Sequence, residues 1–354
     1  MAENRFELMD RIGDGLFVTD REGRVVFWNR AAGELTGFSR GEMEGRRWLD
    51  RDALNPRTLS GSPLAGPEAS APIVRLDSKD GAEIVASWNL WPILDGEGET
   101  VGNVGLFRDM GGEYRERRLA GEIHARMMRG ETVVRAGLRV ETLWVPKDDV
   151  GGDYIEAFFL DGDVLMATVA ETGGRGMAST LIAMVYRALL HASFSRLREP
   201  GEVLANVNRG FLETAGMDGD PLGACLLSVD AATGASRWAS AGHPAALLFS
   251  RDGAGYRLKE SPATSAFRLG TEEDPTIPQA AFTMERGDLL LIGSEGLFGS
   301  ECIHGGPFGA EGAVRFLSSC RGERPLADLG RAVRRDSPFD VPRKDLSALA
   351  VARL

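Results

Sequence analysis

Strand-length apolar runs that stop at Gly-marked turns carrying a carboxylate constrain the last two thirds of this chain more than any other feature. Asp153 follows Val150-Gly151-Gly152, and Glu171 opens Glu171-Thr172-Gly173-Gly174-Arg175-Gly176. Glu295 sits in Ser294-Glu295-Gly296 after the run Leu289-Leu290-Leu291-Ile292, and Asp345 precedes the closing run Leu346 to Leu354. Short apolar runs bounded by Gly turns read as strands. Acidic side chains at strand ends supply what a hard cation needs, because Mg²⁺ and Mn²⁺ take oxygen ligands and keep several waters. The set reads as a two-metal hydrolase site.

A chain of 354 residues suggests two domains or so, with ample material for cores. A formal charge of −11 speaks against a nucleic-acid partner, since such surfaces carry a basic excess or stripe. A protein or a small molecule is the expected partner. Cys225, Cys302 and Cys320 form no close pair and no metal spacing, so neither a disulfide scaffold nor a zinc site is predicted. Met1-Ala2-Glu3-Asn4-Arg5 lacks the apolar stretch of a secretory signal, and no run approaches the roughly 18 apolar residues of a membrane span. A cytoplasmic chain without a membrane segment is expected.

The first 110 residues or so alternate apolar runs with turn chemistry. Leu16 to Thr19 and Val25 to Trp28 flank Asp20-Arg21-Glu22-Gly23, a hairpin signal with Gly where positive φ is needed, and Ile84 to Leu90 and Val101 to Phe107 flank Asp95-Gly96-Glu97-Gly98 in the same way. Asn29 to Gly45 is helix-forming, with Leu35 and Met43 apolar, and Ser60 to Pro72 reads as an exposed loop. The stretch Asp14-Gly15-Leu16-Phe17-Val18-Thr19-Asp20, Gly23, Asn29-Arg30-Ala31-Ala32, Leu35-Thr36-Gly37-Phe38, Glu42 and Gly45 resembles the opening half of a PAS sensor domain. Lys79-Asp80-Gly81 with Arg108-Asp109-Met110 resembles its closing half. The resemblance implies a PAS sensor at 1–110 that binds a small ligand or mediates dimer contacts. No His or Cys precedes residue 111, which argues against a His-ligated haem or a cysteinyl-flavin photocycle there.

Residues 111–132 read as a linker helix. Leu119, Ile123 and Met127 recur on one face, and Glu113/Arg117 and Glu122/Arg126 are i,i+4 pairs of favourable order. A homodimer through this face is expected, with a helix packed on its own domain as the alternative. The second domain, 133–354, has its strongest helix at Met177 to His191, where Leu181, Met184, Val185, Ala188 and Leu189 predict the buried face. Strands are predicted at Tyr154 to Leu160 and Val164 to Val169 around Asp161-Gly162-Asp163, then at Gly223 to Val229, Arg237 to Ala241 and Ala245 to Phe249, with a helix near Glu202 to Thr214. Without regular βαβ alternation, α+β layers are predicted.

The order of motifs after residue 133 resembles the SpoIIE-like, RsbU-like bacterial branch of the type 2C superfamily of metal-dependent serine/threonine phosphatases. Pro146 to Val150 with Gly151-Gly152-Asp153-Tyr154 is similar to that branch's first metal motif. Glu171 to Gly176 stands where it has Asp-Val-Ser-Gly-His-Gly, and Ala241-Gly242-His243-Pro244 and Gly287-Asp288-Leu289-Leu290-Leu291 match closely. Ser294-Glu295-Gly296 stands for Thr-Asp-Gly and Lys344-Asp345-Leu346-Ser347 for Asp-Asp-Ile-Thr. The resemblance implies a β-sandwich flanked by helices that holds two divalent ions, Mn²⁺ or Mg²⁺. It assigns Asp153 as the bridging ligand, with the Tyr154 backbone carbonyl, Glu171, Glu295 and Asp345 completing the shells. Hydrolysis would proceed by an activated water with no covalent phosphoenzyme, on a phosphoprotein of the anti-sigma-factor-antagonist type.

This chain departs from the family's pattern. Glu171 and Glu295 replace Asp, Glu156 stands where Asp is usual, and Arg175 replaces the motif His. Glu remains a hard ligand, but its extra methylene moves the carboxylate by over about 1 Å, and two-metal chemistry needs ions about 3.5–4 Å apart. The alternative reading is a pseudophosphatase, a PAS-gated binding module that docks without turnover. Arg175, near a helix start, could meet a substrate phosphate or be a solvated surface residue. His243 reads as a hydrogen-bonded structural element, Asp148 and Asp149 as a solvated loop, and Cys225 as a small buried hydrophobe. A histidine kinase is not supported, since no Gly-rich ATP lid is visible and His124 in the linker is a poor phosphoacceptor.

Overall fold

The computed structural model describes residues 7–48, 56–58, 73–128, 132–148, 150–174, 176–215, 221–243, 245–253, 255–303, 306–338 and 342–354. The chain divides into two compact units, Met1–Glu116 and Arg117–Leu354. The predicted loop 60–72 lies outside the described residues.

In the first unit, strands β1 (Gly15–Thr19), β2 (Val25–Trp28), β3 (Arg57–Thr58), β4 (Ile73–Asp77), β5 (Glu83–Leu94) and β6 (Thr100–Asp109) form one antiparallel sheet in the order β2-β1-β6-β5-β4-β3. Both predicted hairpin turns form, with Gly23 at φ 76° and Gly98 at φ 85°. The segment predicted as one helix is two, α1 (Arg30–Thr36) and α2 (Arg40–Met43), because Gly37 takes φ 76° and ends the first. Asn29 caps α1 by accepting from Ala32 N–H at 2.8 Å, and it also accepts from Leu16 N–H at 2.9 Å. The interior is aromatic. Phe17, Trp28, Trp48, Trp88 and Phe107 pack with ring centroids 5.4 to 6.4 Å apart, in tilted and stacked pairs.

The second unit is a sandwich. Helix α3 (Gly111–Met128) leads into β7 (Val133–Arg135), β8 (Leu138–Val145), β9 (Tyr154–Leu160) and β10 (Val164–Thr172). Helices α4 (Gly176–Ser193) and α5 (Pro200–Ala215) follow, then β11 (Leu222–Asp230), β12 (Ala235–Ala241), β13 (Ala245–Asp252), β14 (Gly255–Glu260), β15 (Gln279–Thr283) and β16 (Leu289–Gly293). The chain closes with α6 (Glu295–Phe298), α7 (Gly309–Ser319), α8 (Pro325–Arg335) and β17 (Leu346–Arg353). One sheet has the order β15-β12-β11-β10-β9 and the other β14-β13-β16-β17-β8-β7. Alternating strand residues divide two cores. Leu165, Ala167 and Val169 of β10 face Leu290, Ile292, Leu349 and Val351 of the other sheet, whereas Met166 and Ala170 face Tyr186, Leu190, Val203 and Phe211 of α4 and α5. On the far side α7 and α8 cover Leu289, Leu291 and Ala348 with Leu317, Leu326, Leu329 and Val333. The α+β architecture is as expected.

Two local expectations are corrected. The fully buried face of α4 includes Ser179, Thr180, Ala183, Tyr186 and Leu190; of the predicted face, Met184, Val185 and Leu189 pack partly buried at its edge, while Leu181 is 61% exposed. Small and hydroxyl side chains must lie inward there because Thr180 Oγ1 donates to Gly151 O at 2.8 Å, and the apolar periodicity carried no sign of that contact. In α3, Arg118 pairs with Glu122 at 3.4 Å, and neither expected i,i+4 pair forms among the described residues. Residues 117–128, within the segment read as a linker helix, pack as part of the second unit, with His124 and Met128 buried.

Candidate active site

The four acidic residues on Gly-marked turns, scattered over nearly 200 positions of sequence, line one cleft of about 350 Å³ at the ends of the central strands of both sheets. Val150 to Asp153 form the β8–β9 loop, Glu171 lies at the end of β10, Glu295 opens α6 directly after β16, and Asp345 immediately precedes β17.

Glycines set the geometry. A side chain at Gly151 would overlap the Asp345 carboxylate, one at Gly152 would overlap Thr172 Oγ1 and Ser179 Cβ, and one at Gly296 would overlap Asp345 O. The Gly-Gly-Asp and Ser-Glu-Gly signals are thus demands for close backbone approach. Asp345 ties the loops together by accepting from Lys147 N–H at 2.8 Å on Oδ1, and from Gly152 N–H at 2.6 Å and Asp153 N–H at 3.3 Å on Oδ2. Ser294 N–H donates to Ser347 O at 2.8 Å and Ser347 N–H to Ser294 Oγ at 3.1 Å, which fixes the β16 and β17 ends side by side.

Asp153 and Glu171 are each 6% exposed. Burial, reinforced by the charge of Asp345, pushes the Asp153 carboxyl well above the ordinary carboxylate range. Burial also raises Glu171, although Glu295 N–H, donating at 2.8 Å to Oε2, opposes the shift. Among the described residues Asp153 Oδ2 and Glu171 Oε1 have no hydrogen-bond partner. Glu295 behaves differently. Its side chain is 54% exposed and Oε1 meets Lys344 Nζ at 2.6 Å. Tyr154 has its side chain buried away from the cleft, with its hydroxyl donating to Glu156 Oε2 at 2.6 Å. Arg175 and Asp149 lie outside the described residues, and Asp148 is exposed on the cleft rim.

Among the described residues no three His, Cys, Asp or Glu side chains converge closely enough to hold a metal ion; Asp345 accepts from backbone amides and Glu295 pairs with Lys344. The donor set still fits a hard cation. It is all oxygen, and two like-charged carboxyls are held in the interior, each with an unpartnered oxygen, where a cation would relieve both their repulsion and their desolvation.

Three residues here carried no functional signal in the sequence. His124 of α3 is 1% exposed, its ring packs edge-on against Trp144 at 5.0 Å, and its Nδ1 accepts from Gly151 N–H at 3.4 Å; burial lowers its pKa. Its only sequence trace is that Gly121, His124 and Met128 share one helical face opposite the apolar row. Arg268 lines the cleft from the irregular segment between β14 and β15, where no periodicity or motif marks it. Lys344 was visible only as a basic residue where the family has an acid. His243, expected to be hydrogen-bonded, is 1% exposed, and neither ring nitrogen has a partner.

Residues 161–353 match the family model of stage II sporulation protein E, a stretch that begins after Asp153, and residues 9–115 match the PAS fold. The SiaA PP2C domain of Pseudomonas aeruginosa superposes with a TM-score of 0.59 at 16% identity, over 69% of this chain and 99% of that one. The RsbU and RsbW domains of a Mycobacterium tuberculosis protein give 0.52 at 25% identity, over 63% of this chain and 61% of that one. The phosphatase domain of SpoIIE from Bacillus subtilis with a fragment of its regulatory domain gives 0.51 at 13% identity, over 84% and 82%. With the motif order, the two-sheet sandwich and more than half the chain in the family match all in agreement, this chain belongs to the stage II sporulation protein E (SpoIIE) family, carrying a PP2C-type phosphatase domain behind a PAS fold.

Proposed function

We propose that the chain is a PAS-regulated, divalent-cation-dependent serine/threonine phosphatase acting on a phosphoprotein of the anti-sigma-factor-antagonist type. The observation that carries this reading is the pair of unpartnered oxygens on Asp153 and Glu171, buried at the floor of a cleft whose rim bears Glu295 and Asp345. A folded chain keeps such carboxyls only where something else is gained. Asp153, Glu171 and the Tyr154 carbonyl would hold the ions, Asp345 would do so from its amide-fixed position, and Glu295 on leaving Lys344. Bound there, Mn²⁺ or Mg²⁺ supplies a water activated near neutral pH and positive charge for the phosphoryl oxygens. The protein's own contribution is placement. Asp345 and Thr180 fix the Gly151-Gly152 loop, Glu295 N–H orients Glu171, and the interlocked Ser294 and Ser347 keep the β16 and β17 ends at one spacing.

A second reading, a PAS-gated binding module without turnover, is favoured by the Glu295–Lys344 pair and the amide-filled Asp345. Hydrolysis of an aryl phosphate by the full chain, titrated with Mn²⁺ and repeated with Asp153→Asn, separates the two. Mn²⁺-dependent turnover lost in a folded variant is expected. Turnover unchanged by the substitution would refute the site, and none in either protein would favour the binding module.

A further inference from the structure

We propose that Arg268 binds the phosphoryl group of the substrate. This deepens the phosphatase reading and rests on it. Among the described residues four basic ones line the cleft, Lys147, Arg268, Arg343 and Lys344. Lys344 is engaged by Glu295 at 2.6 Å and Arg343 by Glu301 at 3.0 Å. The Arg268 guanidinium makes no hydrogen bond or ion pair among the described residues, although the residue is half-buried. Its charge reaches Glu171, where it counters the effect of burial.

Arg268 is also seated, which distinguishes it from Lys147, a compact charge on a flexible four-carbon stem. Gly242 takes φ 70°, and a side chain there would overlap Arg268 Cγ and Phe267 O. The Gly-His turn therefore makes the notch in which the Arg268 stem lies. The same Gly242 abuts Gly223, and a Cβ at Gly223 would lie 3.4 Å from Glu171 Cγ. One backbone unit thus seats both Arg268 and Glu171, holding a free guanidinium beside the carboxylate floor. His243, in the same turn, is kept neutral by burial and by Arg268, its pKa pushed down to about 3, so the turn adds no second charge. A planar guanidinium offers two parallel N–H donors to a phosphoryl group, a geometry that an ammonium lacks. A dianion approaching a cleft lined by five carboxylates needs such a counter-charge.

The test is calorimetric titration of the full chain with inorganic phosphate, with and without saturating Mn²⁺, for wild type, Arg268→Lys, Arg268→Gln and Arg268→Ala. A separate Mn²⁺ titration and a melting curve accompany each. Phosphate affinity is expected to fall about tenfold or more in the Gln and Ala variants, the scale of a lost bidentate charged contact, with partial recovery in Lys. Mn²⁺ affinity should stay within about threefold, because a carboxylate-bound ion needs no guanidinium. With an aryl phosphate substrate the loss should fall mainly on KM. Phosphate affinity that is unchanged, absent in wild type, or lowered in step with Mn²⁺ affinity would overturn the proposal, and so would loss of folding in all three variants. A wild type that binds phosphate but hydrolyses nothing would sink the phosphatase reading while leaving Arg268 tested.

Discussion

At Asp153 an acid is held inside the protein with one oxygen unpartnered and its pKa raised by burial. A folded-state pKa above the unfolded value means that ionisation at neutral pH opposes folding, and that stability is regained as pH falls through the folded pKa. Asp153→Asn should therefore raise the melting temperature of the chelated protein, by about 2–4 °C per kcal/mol at this size, while removing the stabilisation that Mn²⁺ gives wild type. Calorimetry with and without chelator reads both, and a destabilised Asn variant would contradict the burial argument. Glu171 is fitted to its longer side chain. Its Cγ lies in space that Gly223 leaves open, and its Oε2 reaches Glu295 N–H. Glu171→Asp should retract from that donor and weaken Mn²⁺ binding by about tenfold, the value of a hydrogen bond to a charged group. Tighter binding by the Asp variant would mean instead that the Glu is a remnant of decay. His243 titrates with the opposite sign to the acids, since its folded pKa lies near 3, below the ordinary 6.5. Its contribution is complete above pH 6.5 and is lost as pH falls toward 3, by up to several kcal/mol at about 1.4 per pKa unit. Urea midpoints measured over that range should fall less steeply in His243→Asn than in wild type, and parallel curves would refute it.

Helix α3 presents two faces with different purposes. Gly121, His124 and Met128 are buried in the second unit, whereas Leu119, Ile123 and Met127 are 59%, 48% and 45% exposed. Three apolar side chains in one exposed row cost solvation in a lone chain, so a second copy is the expected cover. Ile123→Glu would place a charge in that seam, where an unpaired buried carboxylate costs several kcal/mol unless it escapes to water. A shift toward monomer, with changed Mn²⁺-dependent turnover and an unaltered melt of the catalytic unit, is expected from light scattering and assay of one preparation. A wild type that is monomeric, or a variant that stays dimeric with unchanged output, would leave the face without this role. Helix α4 shows how far periodicity could be trusted. The helix and its span were legible, but its inward face was set by Thr180 and Ser179 approaching the Gly151-Gly152 loop, a contact that no local pattern encodes.

On the scale of the whole molecule, the second unit begins inside α3. Met128 is 3% exposed in the core that Tyr154 and Tyr186 share, and Ile155 N–H points at its sulfur at 3.5 Å. A fragment of residues 133–354 therefore lacks part of its own core. It should melt lower than residues 117–354 by several degrees, since burying a Met side chain is worth about 1.5–3 kcal/mol. Equal melting of the two fragments would show that α3 is a passive tether. Among the described residues no helix is long and apolar enough to cross a membrane.

The sequence by itself determined most of the strands, their turns and the acids that end them, though not β3, β4, β7, β8, β14 or β15. Those are local properties: short apolar runs in β1 and β2, Gly at positive φ in the hairpins, and continuous apolar runs wherever a strand is covered on both faces, as in β10 and β16. Only the tertiary structure decided that Asp345 is fixed by the amides of Lys147 and Gly152, that Glu295 turns to Lys344, that His124 backs the Gly151 loop and that Arg268 joins the cleft. Each of those contacts brings together residues far apart in sequence through the packing of two sheets. A side chain whose partner is chosen by that packing leaves no periodic trace in its own neighbourhood.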